Sequence, residues 1–316
     1  MKSTFLRRIL FCLLATGAIT GSALSGAFAQ TPNDGLMMGK RYICNVLTYS
    51  NGSWSGYWEG PLKRSNPNIG TFTSQNVMFM SAYGVTSRLN VIVGLPYIWT
   101  KSDGGHMAGQ RGLQDGSLFL KWQPLKAKTK VGTFSAFAVG GISVPLSNYV
   151  PDMLPFSIGI RSKTASLRGI LNYNLNGFYL TGAAGYTARG PITIDRDAYQ
   201  AEGRIYDTNK VMPPNVVDAS ARLGFVNKHL QIEGFVESMT SQSGDDIRRQ
   251  DAPFPTNKMD MTSAGAMAKV HFFTKSGAFF TVLGQYSQVL SGRNVGQATA
   301  YTLGAQHTFR VGGAKN

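Results

Sequence analysis

Few of the 316 residues carry side chains suited to acid-base or nucleophilic chemistry: there are four histidines and two cysteines. His106 sits in the run Gly104-Gly105-His106-Met107-Ala108-Gly109; no helical pattern follows, so the run reads as a surface loop and not as a phosphate cradle. His229 adjoins a turn signal, while His271 and His307 fall near the ends of alternating segments. Serine hydrolysis would use a Gly-x-Ser-x-Gly elbow and zinc hydrolysis a His-Glu-x-x-His helix turn, and neither motif is present. Cys12 lies in an apolar leader. That leaves Cys44 alone in the strand-like setting Tyr42-Ile43-Cys44-Asn45-Val46, where a thiol acts as a small apolar filler. Were the chain an enzyme, His271 would be its base.

Two further groups are charged. Asp195, Asp197, Glu202 and Asp207 gather in one long connection and Asp245, Asp246 and Asp251 in another, interleaved with Arg196, Arg204, Arg248 and Arg249. Calcium is the sharp reading of such clusters, but the spacing does not follow an EF-hand loop, and mixed charge on a solvated loop is the expectation; no metal or other cofactor is called for. The second group is a row of polar residues on one side of successive alternating segments: Lys121, Gln123, Arg222, Glu233, Glu237, Lys269, His271, Gln285, Gln306 and Arg310. A lysine or arginine facing lipid at the bilayer midplane costs roughly 2–4 kcal/mol, so in a membrane setting this row must line water or pair across an interior. Two arrangements satisfy that demand. One is a polar conduit with a modest cationic bias; the other is a cross-braced interior in which Glu233 and Glu237 pair with Lys269 and Arg222.

The elements that must position these residues begin with an export leader. Lys2, Arg7 and Arg8 precede an apolar run from Ile9 to about Leu24, and Ala27-Phe28-Ala29 places small residues three and one before Gln30, which predicts a signal peptide over residues 1–29. The run is interrupted by Thr16, Gly17, Thr20, Gly21 and Ser22 and is shorter than the ~20 residues of a spanning helix. Loss of the leader removes three positive charges and lowers the net charge from +15 to +12. Export excludes nucleic acid as a partner. A basic exported chain meets anionic lipid, lipopolysaccharide or an anionic solute instead.

Residues 30–316 are expected to form one domain with a short flexible lead-in before about Gly39. With 37 glycines, 11% aromatic residues and only 15% charged residues, the chain still lacks a long apolar run beyond the leader. Period-two alternation predicts twelve strands, near 39–49, 72–83, 88–99, 115–124, 131–146, 156–174, 177–189, 215–226, 229–241, 259–273, 277–290 and 297–310. Many exceed the ~5–6 residues common in soluble domains and suit the ~9–11 residues of a tilted membrane strand. In the last strand Tyr301, Leu303, Ala305 and Phe309 share one face, and Thr302, Gln306, Thr308 and Arg310 the other. By the same parity His307 belongs to the lipid row and His271 to the interior. Short and mostly longer connections alternate, and an even strand count then places both termini in the periplasm. Tyr83, Tyr97, Trp99, Trp122, Tyr149, Tyr173, Phe178 and Tyr179 suit interfacial belts, and Tyr199 to Asp207 suits an extra hairpin within the longest loop.

These features give an all-β reading: a transmembrane antiparallel up-and-down barrel of about twelve strands in the outer membrane, following a cleaved signal peptide. A secreted β-protein is the alternative fold, since Phe309 is followed by seven residues where many such barrels end on an aromatic. A resemblance adds to this reading. The hairpin Ser81-Ala82-Tyr83-Gly84-Val85-Thr86-Ser87-Arg88-Leu89-Asn90-Val91-Ile92-Val93-Gly94-Leu95-Pro96-Tyr97 resembles one in the outer-membrane family named after the meta pathway of phenol degradation. Gly112-Leu113-Gln114-Asp115-Gly116-Ser117-Leu118-Phe119-Leu120-Lys121-Trp122 is similar to that family's Gly-x-Gly-Asp strand opening, with Gln114 in place of the second glycine, and Gly140-Gly141-Ile142-Ser143-Val144-Pro145-Leu146 resembles its next strand. Across residues 72–150, the resemblance implies a channel for a small, often aromatic or hydrophobic, solute. A structural or adhesion barrel whose loops contact lipopolysaccharide, and a membrane-embedded lipid-modifying enzyme, are the other functional readings.

Overall fold

The computed structural model describes residues 31–248, 251–274 and 278–312; the leader expected over 1–29 lies outside them. Twelve long strands carry the architecture: β1 (Tyr42–Trp54), β2 (Phe72–Gly84), β3 (Leu89–Ser102), β4 (Asp115–Lys128), β5 (Thr133–Pro145), β6 (Thr164–Leu175), β7 (Phe178–Arg189), β8 (Val216–Val226), β9 (Leu230–Ser241), β10 (Asp260–Phe273), β11 (Phe279–Arg293) and β12 (Thr299–Arg310). Each pairs antiparallel with its sequence neighbours. The last strand returns to the first, from Tyr42 opposite Arg310 to Ser53 opposite Thr299, and this closes the barrel without a free edge.

The alternation of the sequence becomes the two faces of the wall. Leu167, Leu223 and Leu303 are 67%, 64% and 67% exposed, and they belong to an outer band that also includes Leu47, Phe79, Leu95, Leu120, Leu180 and Val282. Such a surface is unfavourable in water and suited to hydrocarbon. Tyr49, Tyr97 and Trp99 edge the band at the end of the long loops, while Tyr83, Trp122, Phe178 and Phe225 edge it at the end of the short turns. Two aromatics expected in these belts lie elsewhere. Tyr179 points inward and Tyr149 is buried in a loop, because each hydroxyl is claimed by an interior carboxylate, Glu233 and Asp115 respectively. His307 does stack on the outer face between Phe280 and Phe309.

Turn chemistry sets the register. Asn176 and Gly177 both have positive φ, 51° and 93°, the conformation of a two-residue hairpin whose twist matches its strands. Glu202 and Gly203 repeat it at φ 51° and 73° in the small hairpin of Tyr199–Ala201 with Arg204–Tyr206, where the sequence places an extra hairpin. Pro124, lacking an N–H, occupies the register shift between Trp122 and Leu125. At the loop end a second hairpin, Gly56–Glu59 with Leu62–Ser65, forms beyond β1, and a short strand, Arg111–Leu113, pairs with β3.

Two expectations need correcting. Residues 156–163 are not strand: Phe156 and Ile158 alternate as a strand would, but Phe156 is buried edge-on against Phe72 at 5.6 Å, and its carbonyl takes the Thr100 hydroxyl at 2.6 Å, so the segment folds as a loop over the β2–β3 wall. Nor do residues 31–38 form a flexible lead-in. They run inside the barrel.

Candidate functional site

The interior is made by alternate residues of all twelve strands plus the segment 31–40. The chain reverses beside β1: Arg41 adopts a left-handed φ of 65°, its N–H donates to the Gly84 carbonyl at 2.7 Å, and its own carbonyl accepts from Val311 at 2.7 Å. From there the segment leads into the lumen. Gly84 is required by that passage, since a Cβ there would lie 2.1 Å from the Gly39 oxygen. Met38 fills a core cluster with Cys44, Ala82, Ile92 and Phe279, which accounts for the lone thiol as packing, and Met37 packs against Phe137 and Ile170.

Asp34 organises the tip. Its carboxylate accepts from the Thr31 N–H at 2.5 Å, the Thr31 hydroxyl at 3.0 Å and the Leu36 N–H at 3.0 Å, which folds the tip on itself. From β4 the fully buried Lys121 reaches it, and the ammonium donates to Asp34 Oδ1 at 2.8 Å, the Asp34 carbonyl at 2.6 Å and the Thr31 carbonyl at 3.1 Å. Three donors thus meet three acceptors. Burying an ammonium is tolerable only with its charge paired and its N–H groups satisfied, and both conditions are met here. Two strands along the same wall, with Val139 of β5 between it and Lys121, Arg168 bridges the Asn33 side chain and Asp218, the latter at 2.5 Å.

The ten residues singled out from the sequence lie on β4, β8, β9, β10, β11 and β12 in the inward register. Lys121, Gln123, Glu233, Lys269, His271 and Gln306 are buried; Arg222, Glu237 and Gln285 are partly open. Arg310 ends β12 at the turn-end rim, where it is exposed and beyond the packed interior. The expected cross-brace forms with one cation and not two. Arg222 takes both glutamates, Glu233 at 2.7 Å through Nη1 and Glu237 through Nη2, and its guanidinium lies 5.1 Å from the Phe235 ring centre. Among the described residues Lys269 forms no ion pair. The other oxygen of Glu233 accepts from Tyr179 at 2.5 Å, and Tyr179 in turn accepts from Gln231 at 2.9 Å. His271 meets the Thr281 hydroxyl at 2.8 Å and the edge of Phe279.

Polar side chains therefore fill the turn-end half of the lumen, while towards the loops the walls are more open. Glu237 is 37% exposed and Asp218 25% at the side chain. Buried Oε1 atoms of Gln231 and Gln306 and the Nε of Arg222 have no protein partner, and buried polar atoms of this kind are normally met by water. The sequence did not single out Thr31, Asn33, Asp34 or Arg168. One signal was available for the segment: Leu36-Met37-Met38 is too apolar a run for a solvated tail.

No protein-family profile matches the chain, and no match was found among curated proteins. Solved structures do match. An outer-membrane channel from Pseudomonas putida F1 superposes with a TM-score of 0.70 at 14% identity, over 89% of this chain and all of that one. The translocator domain of autotransporter NalP from Neisseria meningitidis matches at 0.45 and 12% over 86% and 89%, and the NanC porin at 0.45 and 7% over 84% and 100%. At these identities the first likeness establishes the fold, a twelve-stranded barrel of the outer-membrane type.

Proposed function

We propose that the chain is an outer-membrane channel for passive movement of a small solute, closed on the turn side by its own residues 31–40. The carrying observation is the set of inward polar side chains on neighbouring strands, Arg222 with Glu233 and Glu237 and Arg168 with Asp218, which leads to the Asp34 tip held by Lys121. Removal of the leader after Ala29 would make Thr31 the second residue of the mature chain, and the Thr31 carbonyl is one of the groups that Lys121 holds at the tip. With the turn end of the barrel facing the periplasm, the segment can withdraw by the way it came in. The resemblance implies an aromatic or hydrophobic solute; the polar interior suits one that also carries a hydrogen-bonding group.

The test is conductance of the refolded mature chain beside a variant lacking residues 31–38. Larger and more frequent steps in the truncated barrel support the channel. A truncated barrel that shifts on heating as a folded barrel should, yet conducts no more than the bare bilayer, overturns it. The second reading, a structural or adhesion barrel, is favoured by one observation: the completeness of the Lys121 contacts, which suits a permanent plug.

A further inference from the structure

Charge is divided between the two ends of the barrel. Of the 16 acidic residues, Asp34, Asp218, Glu233 and Glu237 lie in the lumen, and every other one lies in a loop-end excursion or at a loop-end strand terminus. There they meet bases: Glu59 pairs with Arg64, Asp152 with Arg196, Asp246 with Arg293 and Asp251 with Arg248. The lumen also pairs its acids, through Lys121, Arg168 and Arg222. Among the described residues the turn end carries no acid.

It does carry cations. Arg88 lies in the turn between β2 and β3, Lys126, Lys128 and Lys130 at the turn between β4 and β5, Lys228 in the turn between β8 and β9, and Arg310 at the end of β12. Lys40 and Arg41 join them where the chain turns into β1. All of these side chains are exposed, and none forms an ion pair among the described residues.

Their setting is that of a membrane interface. Arg88 follows Tyr83, Lys126 follows Trp122, Lys228 follows Phe225 and Arg310 follows Phe309, so each comes within a few residues of an aromatic at the edge of the apolar band. Leu125 and Val131, beside the three lysines, are 47% and 65% exposed, which is unfavourable in water and suits the boundary between headgroups and hydrocarbon. Cations spread over several sides of a rim at that depth match an encircling layer of lipid better than one compact partner.

We propose that the turn-end rim binds the anionic phospholipid headgroups of the leaflet it meets, with Arg88, Lys126, Lys128, Lys130, Lys228 and Arg310 taking the phosphates. The loop end, where charges are paired, has no such preference. The inference needs a barrel in a bilayer and not an open lumen, so it is independent of conduction.

Reconstitution of the mature barrel in phosphatidylcholine vesicles, with a trace of spin-labelled phosphatidylglycerol or, separately, of spin-labelled phosphatidylcholine, tests the proposal. Electron spin resonance reads the share of each label slowed by contact with the wall. The phosphatidylglycerol label is expected to be favoured at least about threefold at low salt. That preference should largely vanish at about 1 M salt, where the screening length falls to about 3 Å. A Lys126→Gln/Lys128→Gln/Lys130→Gln barrel should lose much of it, and a loop-end control, Lys163→Gln/Lys210→Gln, should keep it. The comparisons of label and of salt on the unaltered chain need no variant and stand even where the triple variant fails to fold. Equal association of the two labels would overturn the proposal and assign the rim to an acidic soluble partner. A preference that salt leaves intact, or one unchanged in the folded triple variant, would also overturn it.

Discussion

Lys121 has three N–H donors, and all are used inside the barrel on Thr31 and Asp34. Asp34→Ala would leave this ammonium buried without its counter-ion, a change that typically costs about 3–5 kcal/mol. Lys121→Met keeps the stem and removes the charge, and Asp34 would retain its Thr31 and Leu36 donors, so it is expected to be the milder change. Urea unfolding of the two variants in vesicles reads the order, and an equal or reversed order contradicts the buried pairing. At the loop end Asp246 meets Arg293 Nε at 2.7 Å and Nη2 at 2.6 Å, and these hydrogen bonds hold its carboxyl below the ordinary value of 3.8. A depressed carboxylate contributes stability above its unfolded value that disappears as the pH falls through the folded one. Proteolysis of the 242–259 loop should thus stay slow at pH 7 and 5 and rise only below about pH 4; a rise already between pH 7 and 5 would contradict the pairing. Asn294 ties the same region together, accepting from the Gly60 and Ile247 N–H groups and donating to Asp246 and the Lys258 carbonyl. Lys121 was legible as an interior cation because strand parity places it. Its partner was not, since Asp34 precedes the first strand and no periodicity assigns it a face.

Each strand carries its own two-face pattern, repeated along more than ten residues, and for this reason the twelve strands follow from the sequence within a few positions. The failures have specific causes. Residues 156–163 alternate because Phe156 and Ile158 are needed under a loop, and periodicity reports burial of every second residue without reporting what buries it. The segment 31–40 has no period at all; its place is fixed by one turn at Arg41 and by the side chains it meets. Glycine substitutions separate these cases. Gly182 faces outward with nothing within 4 Å of a built Cβ, whereas Gly84 has the Gly39 oxygen at 2.1 Å. Gly182→Ala is expected to leave the heat-induced mobility shift of the folded barrel unchanged, and Gly84→Ala to expose residues 31–38 to protease. Protection of the segment in Gly84→Ala would mean that the chain enters the lumen by another route.

The whole molecule joins an apolar outer band, a polar interior and a segment that enters it from one end. A closed wall without a free edge satisfies every backbone group in hydrocarbon, which leaves the interior free to carry charge, and the barrel uses that freedom for the Arg222, Glu233 and Glu237 cluster and for the Lys121 anchor. A twelve-stranded barrel is narrower than the ~16–18-stranded porins, so a ten-residue segment is enough to fill much of its section. The architecture was legible in the sequence because it is written in every strand. The closure was not, because it depends on one short stretch meeting several distant strands. As proposed, residues 31–40 close a path through the barrel. Single-channel recording tests this most directly, comparing the mature chain with the barrel lacking residues 31–38, and with that truncated barrel carrying Arg222→Glu. Small or rare openings are expected in the first, large steady ones in the second, and a shift towards cation selectivity in the third. Identical conductance in the intact and truncated barrels would contradict it.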